Sequence, residues 1–231
     1  MAHDVVAEEQ ILRSSPLLAA MDPATAHSLM ELMGRRELPR GEVLFFEGSP
    51  GDAVYMIVRG KVKMGRTARD GRENLLSIHG VGDMVGELSL FDPANRIARA
   101  YVPEDSIVYE LSRASFEQWI AEHGDQGVFL LQALAKRMRR NQITMADLVF
   151  TDVPGRVAKA ILDLGRRFGH MDRGQIIVRH GLTQEELAQL VGASRETVNK
   201  ALADFAGRGW IDVNMGAVVV YEPDRLRARS R

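Results

Sequence analysis

Cysteine is absent from this chain of 231 residues. Its absence removes a disulfide framework, a thiolate zinc site, a cysteine-ligated iron–sulfur sensor and a cysteine nucleophile. Long apolar runs are missing as well. The longest stretch free of Asp, Glu, Lys and Arg is ten residues, Gln126 to Ala135, about half of what a membrane-spanning helix needs. The opening Met1-Ala2-His3-Asp4 has neither the basic start nor the apolar stretch of a secretory signal, so a cytoplasmic protein without membrane contact is expected. The six histidines are scattered, with no His-Asp pair at ligand spacing. No metal site and no catalytic residue is therefore assigned. What the chain does have is 45% hydrophobic and 26% charged residues, enough to bury a core.

The formal charge of -1 hides a division. Residues 1–150 carry 17 Lys and Arg against 21 Asp and Glu, whereas residues 151–231 carry 13 against 10. Arg225, Arg227, Arg229 and Arg231 crowd the end. A basic C-terminal part on a mildly acidic N-terminal part hints at nucleic acid on one side and something else on the other.

Residues 9–36 read as short helices broken at Pro16 and Pro23, the second capped by Asp22. From about residue 37 the pattern becomes short apolar runs punctuated by glycine. Val43 to Phe46, Val54 to Val58, Lys61 to Met64, Leu75 to Ile78 and Ser106 to Leu111 are strand candidates, with Asp70-Gly71 as a hairpin turn. Such spacing predicts an antiparallel barrel or sandwich whose mouth can hold a small ligand. Beyond Gly127, Leu131, Leu134, Met138, Asn141, Met145 and Leu148 recur at spacings of 3, 4, 3, 4 and 3. That is either a coiled-coil seam or a helix packed on its own barrel; the polar Asn141 at a seam position favours pairing with a second copy. Thr151-Asp152-Val153-Pro154-Gly155 breaks this helix. The expected division is a sensor at 1–125, a long helix and hinge at 126–152, and a second domain at 153–231.

Leu182 to Leu202 reads as a helix-turn-helix. Thr183 caps the first helix with Glu186 completing a capping box, Gly192 permits the turn, and Ser194 caps the second helix. Arg195, Glu196, Asn199 and Lys200 are left outward on the first two turns of the second helix, which enter the major groove first in this motif. Arg and Lys suit guanine and Glu suits the cytosine amine. The Thr183 and Thr197 hydroxyls suit phosphates. Gly209 to Tyr221 supplies a hairpin wing.

Late in the strand-rich part comes Val85-Gly86-Glu87-Leu88-Ser89-Leu90-Phe91, followed by Arg96. A glycine admits backbone N–H groups close to a phosphate, Arg96 neutralises it, and Glu87 accepts a ribose hydroxyl.

Three stretches, Gly86-Glu87-Leu88-Ser89 with Arg96, Phe150 to Ala158, and Leu182 to Phe205, make the chain resemble the CRP/FNR family of bacterial transcription regulators, and within it the actinobacterial cAMP receptor proteins of GlxR type. The resemblance implies an α+β fold: an N-terminal cyclic-nucleotide-binding β-roll (jelly-roll-like), a long dimerisation helix and a C-terminal winged helix-turn-helix. It implies a homodimer that binds cAMP and reads a palindromic double-stranded operator like TGTGA–N6–TCACA, with RNA polymerase as a further partner. By the same resemblance Gly86 and Glu87 hold the ribose, Ser89 lies beside the phosphate and Arg96 binds it. The family's usual hydroxyl after that arginine is replaced by Ile97, and the two helix positions that meet adenine hold Asn141 and Gln142. Three readings stay open: cAMP with altered affinity, another nucleotide, or DNA binding without a ligand. An enzyme acting on cyclic nucleotides, or a regulatory subunit of one, is the alternative from another class.

Overall fold

The computed structural model describes residues 2–68 and 73–230; the side chains at 2–5, 130, 137 and 140 lie outside the description, as does the expected turn at Asp70-Gly71. The chain forms two compact units, Met1–Met138 and Arg139–Arg231, and the boundary falls inside one long helix.

The first unit begins with α1 (Ala2–Arg13) and α2 (Pro23–Met30), the latter capped by Asp22 through the N–H groups of Ala24 and Thr25. The helices expected at 9–36 therefore start earlier and stop sooner, because residues 34–38 are a strand. Among the described residues eight strands follow, β1 (Gly34–Leu38), β2 (Val43–Phe45), β3 (Ala53–Arg59), β4 (Val62–Thr67), β5 (Glu73–His79), β6 (Met84–Val85), β7 (Arg99–Tyr101) and β8 (Ser106–Ser112). They form two antiparallel sheets, ordered β1-β8-β3-β6 and β2-β7-β4-β5. The short α3 (Leu88–Phe91) lies between β6 and β7, and α4 (Arg113–Glu122) follows β8.

Strand β3 shows why its sequence is an unbroken apolar run. Ala53, Tyr55 and Ile57 face a core shared with Phe45, Val62, Val85 and Ala100 of both sheets. Val54, Met56 and Val58 face the helices, against Leu18, Leu29, Phe116 and Trp119. Side chains alternate along a strand, so a strand covered on both faces is apolar throughout. The Trp119 indole N–H donates to Ser28 Oγ at 2.9 Å, joining α4 to α2.

Helix α1 is pinned by charge. Glu8, buried, accepts from Arg35 Nε of β1 at 3.0 Å and from the Tyr109 hydroxyl of β8 at 2.9 Å. Burial pushes the Glu8 carboxyl up, but the bonds from Arg35 and Tyr109 outweigh it and hold the group below the usual carboxylate range.

Helix α5 (Gly127–Phe150) spans the boundary. The second unit continues with α6 (Val153–Phe168), β9 (Gly169–Asp172), β10 (Gln175–Val178), α7 (Gln184–Val191), α8 (Arg195–Gly207), β11 (Ile211–Asn214), β12 (Ala217–Val220) and α9 (Pro223–Arg229). Its sheet runs β11-β12-β10-β9. Val157, Ile161, Leu187, Val198, Leu202, Phe205 and Leu226 fill its core. Helix α9 stands where the sequence reading ended on a hairpin, and it accounts for part of the terminal basic charge. Arg229 makes a two-pronged ion pair with Asp152 (2.9 and 2.6 Å), which also caps α6 through the Gly155 N–H. Arg227 pairs with Asp224.

Glu8→Gln is expected to cost about 1–3 kcal/mol at neutral pH, measured by urea denaturation. The folded-state pKa is depressed, so this stabilisation is complete above the ordinary carboxylate range and is lost as pH falls through the folded value. The gap between wild type and variant should therefore narrow on acidification; a gap that stays constant would refute the ionic origin.

Candidate nucleotide and DNA interfaces

Strand β6 ends at Val85, and the next residue, Gly86, has a φ of +79°, a conformation that side chains rarely adopt. This turn starts α3 and brings Glu87 and Ser89, both buried, onto the inner side of the loop. Arg96 is held over them by its backbone: its N–H donates to Ser49 O and its carbonyl accepts from the Gly48 N–H, both at 2.8 Å. Its side chain is then aimed inward, leaving the residue only 6% exposed.

The guanidinium is surrounded. Nη1 donates to Ser89 Oγ at 2.6 Å and to Gly86 O at 3.1 Å. Nη2 donates to Ala53 O at 2.6 Å and lies 3.5 Å from the Asp52 carboxylate. The Phe45 ring lies beneath, its centroid 4.2 Å from Cζ. Nε is buried and has no hydrogen-bond partner among the described residues. A Cβ on Gly86 would come within 2.5 Å of Nη1, and one on Gly51 within 2.5 Å of Ser89 Oγ and 2.7 Å of Ala94 O. Chemically the arrangement could take an anion: it is a buried permanent cation, bonded to neutral acceptors, with Nε left over among the described residues.

Gly86, Glu87, Ser89 and Arg96 are thus brought together. Leu88 and Ile97 are exposed, and Ile97 offers no hydrogen bond. Asn141 and Gln142 are exposed on α5, in the second unit. Gly51, Asp52, Ala53 and Phe45 complete the surroundings of Arg96 and were not anticipated. The Pro50-Gly51 turn was visible in the sequence, but nothing local linked it to an arginine more than forty residues away.

In the second unit, the helix-turn-helix is set by its caps. The Thr183 N–H donates to Glu186 Oε2 at 2.8 Å and the Glu186 N–H to Thr183 Oγ1 at 3.1 Å, the reciprocal capping box. Gly192 ends α7 in the left-handed region at φ +65°. Ser194 Oγ accepts from the Thr197 N–H at 3.2 Å and lies 2.9 Å from the Thr197 hydroxyl. Arg156, for which the sequence reading had no role, donates to Val191 O, Gly192 O and Thr151 O at 2.8, 3.2 and 2.7 Å. It satisfies the carbonyls that end α7 and so fixes the turn between the two helices.

Arg195, Glu196 and Lys200 are exposed on the first turns of α8 and form no hydrogen bond or ion pair with the described residues. Asn199 differs from its expected outward position: it is half-buried, and its Oδ1 is shielded without a partner among the described residues. The β11–β12 hairpin ends on a fully exposed Met215. On α5, Leu131, Met138, Asn141, Met145 and Leu148 are exposed and Leu134 is half-buried.

Comparison with known proteins follows the same division. The family model of the cyclic nucleotide-binding domain matches residues 35–123, and that of the Crp-like helix-turn-helix domain matches residues 155–229. A "CRP-like cAMP-activated global transcriptional regulator" of Mycobacterium tuberculosis is 48% identical over 96% of this chain and 100% of its own length. The chain belongs to the CRP family. The "Cyclic AMP receptor protein" of Thermus thermophilus is 33% identical over 91% of this chain and 94% of its own. Among solved structures, FixK2 from Bradyrhizobium japonicum aligns with a TM-score of 0.75 at 23% identity, covering 86% of this chain and 98% of that one. The c-di-GMP responsive global regulator CLP of Xanthomonas campestris aligns at 0.69 with 25% identity, covering 87% and 99%. No described helix is long and apolar enough to cross a membrane.

Because Gly86 needs both its positive φ and the space against Arg96, Gly86→Ala is expected to destabilise the first unit by about 1–3 kcal/mol. Thermal denaturation checks this. An unchanged Tm would mean that the turn does not constrain the arginine.

Proposed function

We propose that this CRP-family protein is a homodimeric, DNA-binding transcription regulator controlled by a cyclic nucleotide, cAMP, and that it is not an enzyme. The observation that carries the reading is a capped helix presenting Arg195, Glu196 and Lys200 without internal partners, in the same chain as a buried arginine with a spare donor. Arg195, Glu196 and Lys200 read base edges of a TGTGA–N6–TCACA-like site, and Thr183, Ser194 and Thr197 serve the adjoining backbone. Arg96 receives the phosphate, with Ser89 beside it, and Gly86 and Glu87 hold the ribose. The apolar face of α5 joins two protomers, so that their recognition helices enter successive major grooves about 34 Å apart. By family likeness, RNA polymerase is the further partner. In this reading the sensor is 1–125, the dimerisation helix and hinge 126–152, and the DNA reader 153–231.

A second reading, DNA binding without ligand, is favoured by one feature. Neutral protein acceptors already bond both terminal nitrogens of Arg96, so the cation is not idle before a ligand arrives.

Calorimetric titration with cAMP, paired with operator affinity by fluorescence anisotropy at fixed salt, separates the two. The expected result is one cAMP per chain and tighter operator binding in its presence. No heat at millimolar cAMP with undiminished operator affinity would establish the ligand-free reading. For the dimer, Met138→Glu with Met145→Glu should convert a sedimenting dimer to monomer by placing like charges at the seam. A dimer that survives both changes would move the interface elsewhere.

A further inference from the structure

We propose that Phe45 is a positioning residue for the anion site: its ring face holds the Arg96 guanidinium so that the one unpartnered donor, Nε–H, is presented to the ligand's phosphate. The inference rests on the cyclic-nucleotide reading above and adds a residue which that reading does not contain.

Arg96 is a cation in a nearly dry place. Three of its contacts, Gly86 O, Ser89 Oγ and Ala53 O, are neutral. Its carboxylate neighbour Asp52 is 3.5 Å away with its side chain 81% exposed, so water screens that charge. The ring of Phe45, itself 8% exposed, supplies what is missing. With Cζ 4.2 Å from the ring centroid, the guanidinium lies well within the distance at which the ring's electron-rich face attracts a cation. The N–H donors of the planar cation lie along its edges, which the ring over its face leaves to a ligand, and the buried Nε is the donor that no described residue takes.

Two further features show that the ring's place is specified. The pairing of β2 with β7 shifts register between Val43 and Phe45, the irregularity that re-aims a side chain on a strand. Behind Phe45, Tyr55 stacks at 6.0 Å between centroids and 27° between planes, and Arg36 lies 5.9 Å over Tyr55. The two rings are thus held between two cations. Gly86 completes the fit, since its missing Cβ would lie 3.3 Å from Phe45 Cε1 as well as 2.5 Å from Nη1.

The test is a double-mutant cycle on cAMP affinity, measured by calorimetry on the full chain. Phe45→Leu keeps the apolar volume and removes the ring; it is expected to weaken cAMP about tenfold, while Phe45→Tyr restores binding. In an Arg96→Gln background the Phe45→Leu change should have no further effect. Equal losses in both backgrounds, or a loss below about twofold in the first, would overturn the proposal. If the wild type gives no cAMP heat, the functional reading fails, and the ligand-free protein still judges this one. The Arg96 Nε–H signal in a 1H–15N spectrum should be displaced by the ring in wild type and return to the ordinary range in Phe45→Leu. An ordinary position in both would sink it.

Discussion

Burying a guanidinium is among the costlier things a fold does, and it persists only where acceptors surround it. Arg96 is the clearest case in this chain, and much of the first unit serves it. Ala53 O comes from the start of β3, Ser89 Oγ from α3, Gly86 O from the end of β6 and the Phe45 ring from β2. Four separate segments converge on one side chain. The residues at the convergence are small where they must be: Gly86 and Gly51 each lack the Cβ that would strike Arg96 or Ser89. The glycine of the Gly86-Glu87 turn thereby acquires a physical reason, since a larger residue at 86 would displace the cation itself.

What was legible in the sequence follows from the range over which each signal acts. The caps at Asp22, Thr183 and Ser194 and the turn at Gly192 are decided within four residues, and each was read correctly. Strand β3 was visible because both of its faces are buried. By contrast, Gly34 to Leu38 is a strand only through pairing with β8, about seventy residues later, so local pattern left it in a helical stretch. The surroundings of Arg96 were half legible: Gly86, Glu87 and Ser89 lie close in sequence, whereas Ala53, Asp52 and Phe45 are brought in by sheet topology. Helix α9 and the Arg229–Asp152 pair, 77 residues apart, were invisible for the same reason.

Helix α5 presents the opposite physics. Leu131, Met138, Met145 and Leu148 are exposed in the single chain. Scattered apolar residues on a surface need no explanation, but a row of them at heptad spacing does. Burying such a row against its own copy recovers the transfer free energy that the single chain forgoes. Asn141 in the middle of the row is the kind of residue that fixes register at some cost in stability. The dimer reading rests on this combination.

The charge of the second unit is better understood by position than by sum. Lys159 pairs with Asp147, Arg166 with Asp163, Arg208 with Asp204, Arg227 with Asp224 and Arg229 with Asp152. Arg156 is spent on backbone carbonyls. Those cations hold the unit together and are poorly placed to neutralise phosphates. Arg173, Arg179, Arg195, Lys200 and Arg225 form no ion pair with the described residues. The affinity of a DNA-binding protein falls with salt according to how many phosphates its cations neutralise, and cations already engaged in ion pairs are poorly available for that. Two proteins with the same excess of four positive charges, 15 Lys and Arg against 11 Asp and Glu over residues 139–231, would differ widely in this respect. Here the near-zero net charge of the whole chain conceals a small set of basic side chains that make no ion pair with the described residues, two of them on α8.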